Sequence, residues 1–153
     1  MKTYREWVVL VKENAELVEL LSTQIALMNE YVQSEKYQDA LNKVNDIQST
    51  ISKMKSNAQK REASGVQDFS NNAMASYDAF SQSYNYYKDY INLLIKEDYN
   101  NADLKYTEYL KKYSEALSLG SDEESSITRT INEVDTWYQD NIGICFGFFK
   151  NYS

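Results

Sequence analysis

A helical pattern that recurs at an interval of 62 residues constrains this chain more than any other feature. Tyr37, Ala40, Val44, Ile47, Ile51 and Met54 are spaced three and four apart, as on one face of a helix. Sixty-two residues on, the same positions hold Tyr99, Ala102, Tyr106, Tyr109, Tyr113 and Ala116. The approach to each set also repeats, as Glu35-Lys36-Tyr37 and Glu97-Asp98-Tyr99. Upstream, Ala15, Val18, Ile25 and Val32 correspond to Tyr77, Phe80, Tyr87 and Leu94. The pattern reads as a duplicated helical hairpin, with aliphatic side chains inside one copy and tyrosines inside the other.

Composition supports long helices. Zero prolines and four glycines in 153 residues leave few helix breakers. The first helix is expected over Thr3 to Val32, with Trp7, Leu10, Val11, Ala15, Leu17, Val18, Leu21, Ile25 and Met28 on its apolar face. The second is expected over Glu35 to Glu62, with Ser34 as its N-cap and Ser64-Gly65 as its stop. A third spans Val66 to Lys96, a fourth runs from about Asp98 to Leu119, and a fifth follows a Ser121–Glu124 capping box. Short links between long helices force neighbours to lie antiparallel. The predicted fold is therefore all-α: an antiparallel up-and-down bundle of four long helices from a duplicated hairpin, plus a fifth C-terminal helix. We read one domain over residues 1–153, with hairpin copies at 3–62 and 66–119 and the extra helix at 122–150. A short solenoid of stacked hairpins is the alternative topology. The strings Tyr37-Gln38-Asp39-Ala40 and Tyr99-Asn100-Asn101-Ala102 resemble the tyrosine-x-x-alanine segment that opens the second helix of tetratricopeptide repeats. The spacing differs from the roughly 34 residues of that repeat, so its peptide-groove function is not carried over.

Charge narrows the partners. Residues 1–62 carry nine basic and nine acidic side chains, whereas 63–153 carry seven and fourteen and account for the net charge of −7. Acidic surface repels phosphates and anionic lipid, so nucleic acid is not expected as a partner. Lys53, Lys55, Lys60 and Arg61 read as the solvated basic end of a helix, offsetting its dipole. Neither Trp7–Val11 nor the apolar run Ile142–Phe149 is long enough for a membrane span, so no membrane insertion is expected. The latter run reads as a helix end folded onto the bundle, with a partner-docking tail as the alternative. A single cysteine, Cys145, cannot form an internal disulfide and reads as a buried, inert thiol. The compartment is open, cytoplasmic by default or an extracytoplasmic mature domain.

Histidine is absent, which removes the commonest general base, the imidazole-dependent triads and most zinc and iron sites. The glycines are scattered and form no phosphate loop. Glu13, Glu16 and Glu19 read as a solvated helix face, and Asp122, Glu123 and Glu124 as capping charge. No catalytic residue, metal site or cofactor is expected.

What remains is tyrosine. Tyr77, Tyr84, Tyr87, Tyr106, Tyr109 and Tyr113 are predicted to face inward from the third and fourth helices. A buried phenol brings a large ring and a hydroxyl that needs a partner. These six form an aromatic core, a binding pocket for a small-molecule ligand, or a subunit interface. The favoured function is a non-enzymatic interaction or scaffold module that binds another protein or forms a homo-oligomer. The alternative is a ligand-sensing or carrier bundle with a tyrosine-lined interior, as the extracytoplasmic part of a larger system.

Overall fold

The computed structural model describes residues 2–66, 73–121 and 127–133. Among the described residues every regular element is helical. Helix α1 spans Lys2–Gln33, α2 Tyr37–Ala63, α3 Ala73–Ile95 and α4 Tyr99–Gly120. Residues 127–133 are helical too, within the span assigned to the fifth helix. The chain is an all-α antiparallel helical bundle.

Polar contacts give the packing order. Asn14 near the start of α1 meets Met54 and Asn57 near the end of α2, while Gln24 meets Thr50. Gln48 and Lys55 of α2 reach Asn85 and Asp78 of α3, again running in opposite directions. Ser76 at the start of α3 donates to the Ala116 carbonyl near the end of α4, at 2.8 Å. Helix contacts run mainly in series, α1 on α2, α2 on α3 and α3 on α4.

The 62-residue recurrence extends to the backbone. After α1, the Glu35 N–H bonds the Val32 carbonyl at 3.1 Å and the Lys36 N–H bonds the Tyr31 carbonyl at 2.8 Å. After α3, Glu97 bonds Leu94 at 3.0 Å and Asp98 bonds Leu93 at 3.0 Å, the same pairs 62 positions on. This double closure is the Schellman helix stop, which needs one residue in the left-handed conformation. Glu35 supplies it at φ +57° and Glu97 at φ +58°. A glutamate carries a steric cost there that glycine avoids. The same unusual choice at both positions makes the two turns structurally equivalent. Ser34 is thus not the N-cap of α2. It lies in this stop, and Lys36 takes the cap position without a side-chain bond. In the second copy Asp98 caps with its carboxylate, accepting from the Asn101 N–H at 3.3 Å.

Two packed clusters hold the helices. The larger joins Met28 of α1 with Val44, Ile47, Ile51 and Met54 of α2, Tyr84, Tyr87 and Ile91 of α3, and Tyr109 of α4. The smaller gathers Tyr4, Trp7, Val8 and Val11 at the start of α1 around Ile131. So residues 127–133 fold back onto the opening of the chain.

Besides the Ser34 cap, four expectations meet a different outcome. Val66 itself is not helical and packs against the Trp7 cluster, while residues 67–72, on which the expected start of the third helix falls, lie outside the described residues. Ala15 and Val18 are exposed, although they sit three and four from inward positions. Tyr99 and Tyr106 are exposed at 60% and 38%. The reason is common to these: α1 and α4 are outer helices, each packed mainly on one neighbour, so a broad apolar face cannot all be covered. Finally, Arg61 is not a solvated cation. It is 1% exposed, because it continues the buried α2 face of Met54, Asn57 and Ala58 at helical spacing. The capping acids Asp122–Glu124, Cys145 and the run 142–149 lie outside the described residues.

Candidate functional site

The tyrosines predicted to face inward come from two helices that pack closely because small residues line the contact. Ala73, Ser76, Ala79 and Ser83 of α3 are buried, as are Ala102 and Ala116 of α4. At the end of α4, a Cβ added to Gly120 would stand 2.7 Å from the Ser76 hydroxyl. That distance needs glycine or a shifted serine.

Between these small residues the rings interlock. Tyr109 is the hub, with ring centroids 4.8 Å from Tyr87, 5.7 Å from Tyr84, 5.7 Å from Tyr106 and 5.6 Å from Tyr113. Phe80 closes one end on Tyr113 at 5.3 Å, edge to face. Tyr90 extends the other end, 5.3 Å from Tyr87 and 5.1 Å from Tyr106. Most pairs are tilted or edge-on, the orientations that the ring quadrupole favours. The result is an aromatic ladder that zips α3 to α4.

Five of the six predicted tyrosines therefore come together: Tyr84, Tyr87, Tyr106, Tyr109 and Tyr113. Tyr84, Tyr87 and Tyr109 are buried, Tyr113 is half-buried, and Tyr106 forms the exposed edge. Tyr77 is buried but turns toward α1, where the Asn14 amide donates to its hydroxyl at 3.5 Å. The ladder also recruits Tyr90 and Phe80, which the sequence pattern did not mark as part of the site. Tyr90 lies three residues beyond Tyr87, on the flank of the predicted stripe, and the 3.6 periodicity alone could have suggested it.

Burial governs the chemistry of these phenols. It pushes the Tyr109 hydroxyl up to about 12, with neighbouring phenols adding to the shift and Tyr84 partly offsetting it. Tyr84 and Tyr87 are raised as well, again first by burial and then by the phenols around them. All three stay protonated and neutral near neutral pH, so none is poised as a base or nucleophile. Among the described residues no group of three acidic or cysteine side chains converges to hold a metal. Glu13 instead accepts from the Asn57 amide at 3.3 Å.

A second surface feature lies at the other end of the sequence. Arg5, Glu6, Val9 and Leu10 of α1, with Lys60 and Ala63 of α2 and Ser64, line an open groove of about 570 Å³. Its lining is mostly apolar, and its charged members are Arg5, Lys60 and Glu6.

Fold and site together define a helical bundle whose second hairpin is zipped by stacked tyrosines. No protein-family model matches the chain, nor does any curated protein or solved structure.

Proposed function

We propose that this chain is a non-enzymatic interaction module, a rigid helical bundle that meets other protein through its outer helices. The observation that carries this reading is on α4. Tyr99, Tyr106, Leu110 and Leu117 are 60%, 38%, 46% and 52% exposed and follow one another at intervals of seven, four and seven. That spacing places them on one side of the helix, as a continuous apolar stripe. Scattered exposed leucines are ordinary, but an aligned stripe of leucine and tyrosine is the composition of a contact surface. The inner tyrosines serve this reading as a stiffener, because their rings are engaged with one another.

Cross-linking of the full chain inside the cells that make it tests the proposal. Complexes seen with the parent chain should disappear for the double variant Leu110→Glu, Leu117→Glu, while its circular dichroism stays helical. Complexes unchanged by the variant would overturn it.

A second reading, a carrier of small amphiphilic anions, is favoured by the groove between α1 and α2, whose mostly apolar lining includes Arg5 and Lys60 against the single carboxylate of Glu6. A fluorescent fatty-acid probe should then bind the parent chain and lose affinity in Lys60→Glu.

A further inference from the structure

The stripe on α4 is self-complementary, and we infer that its occupant is the α4 of a second copy of this chain, running antiparallel. This deepens the interaction-module reading and rests on it. Residues 99, 106, 110 and 117 are placed symmetrically about position 108. An antiparallel partner related by a two-fold axis there sets Tyr99 against Leu117 of the other copy, and Tyr106 against Leu110. Every layer joins a tyrosine ring to a leucine, and no layer brings together two rings or two leucines. The same symmetry sets Asp103 opposite the half-buried Tyr113. Among the residues of α4 itself, a carboxylate that accepts from a phenol is the only charged contact in the seam, and it is complementary.

The flanks agree. Asn100, Thr107 and Ser114 recur every seven residues beside the stripe, on the side away from the ladder. Short polar residues there let a second helix approach closely. Glu108, nearest the axis, would repel its mate if it faced the seam. It points to the opposite side, where Lys105 holds it at 3.0 Å. Lys112 and Glu115 pair at 2.9 Å, and they too lie off the stripe.

The size of the surface sets the strength. The exposed parts of the two tyrosines and two leucines offer roughly 400 Å² per copy, so two copies with their polar flanks reach about 1,000 Å², the lower edge of specific interfaces. The dimer is therefore weak, with dissociation in the micromolar range.

Sedimentation velocity of the full chain over a concentration series reads this out. Dimer should form at tens of micromolar, and Leu110→Glu should weaken it by at least about tenfold while leaving the helical signal intact. Orientation is tested in a Cys145→Ser background: Asn100→Cys chains should cross-link to Ser114→Cys chains and not to themselves. Self-cross-linking of Asn100→Cys would overturn the antiparallel arrangement. A parent chain that stays monomeric to the millimolar range would overturn the dimer, and so would Leu110→Glu dimerising as the parent does. Either result leaves the broader module reading to its own test, since complexes with other proteins in cells would persist and still depend on Leu110 and Leu117.

Discussion

Tyr87 and Tyr106 touch, at 6.4 Å between ring centroids, and yet they belong to different environments. Tyr87 is 4% exposed, packed by Tyr84, Tyr90 and Tyr109, with its hydroxyl directed at the Asn29 side chain at 3.5 Å. Tyr87→Ala removes a buried ring and leaves a cavity, so denaturant unfolding should show a loss of about 3–5 kcal/mol. Tyr106→Ala should cost about 1 kcal/mol, because its ring is already partly in water. Buried polar side chains obey the same logic. Asn57 donates to the Asn14 side-chain oxygen at 3.0 Å, and Asn14 donates onward to the Met54 carbonyl at 3.2 Å. Asn57→Ala leaves Asn14 with an unmet acceptor, so a loss of about 1–3 kcal/mol is expected in the same assay. Neither asparagine is distinguishable from a surface residue in sequence, since an amide has the same code whether it meets water or another amide.

At the scale of elements, the two hairpin turns offer an internal control. Glu35 and Glu97 occupy the same left-handed position of the same helix stop, 62 residues apart. Glycine removes the steric cost at that position and gives back part of the gain through unfolded-chain entropy. Glu35→Gly and Glu97→Gly should each raise stability by about 0.5–1 kcal/mol in thermal or chemical unfolding, and by similar amounts. A loss at one turn only would show that the copies have diverged. The repeat is legible in the letters alone, because both the periodicity and the glutamate before each second helix recur. The left-handed conformation is not, because glycine or asparagine is the usual residue there. α4 shows a second limit. Its three-four pattern marks a face of six residues, but Tyr99 is largely exposed and Tyr106 only edges the contact, while the Ala102–Tyr109–Ala116 line lies within it. A helical period gives the direction of a face; the number of neighbours decides how wide a face is covered.

For the whole molecule, the tyrosine ladder ties stability to alkaline pH. Tyr84, Tyr87 and Tyr109 hold their protons more tightly when folded than in the unfolded chain, where a phenol ionises near pH 10. Their contribution is complete below that value. As pH rises past it, the unfolded chain releases protons that the fold retains, so stability falls by up to about 1.4 kcal/mol per pH unit for each buried phenol. Urea midpoints should hold steady from pH 7 to about 9.5 and drop steeply toward about pH 12, and phenolate absorbance should appear together with the loss of helix. Stability that stays level across that range would contradict the burial of these hydroxyls.

Alone, the order of residues determined that this protein is helical, that one helical pattern recurs after 62 residues, and that tyrosine stands in the second where aliphatic side chains stand in the first. Those properties are local: they rest on spacing, on the absence of breakers and on a repeated turn. Tertiary structure decided which helices lie on the outside, that Arg61 is buried while Val18 is not, and that Tyr77 turns to α1 while its fellow tyrosines stack on α4. Each of those outcomes depends on how many neighbours a helix acquires. That quantity belongs to the assembled bundle, and no single stretch of chain contains it.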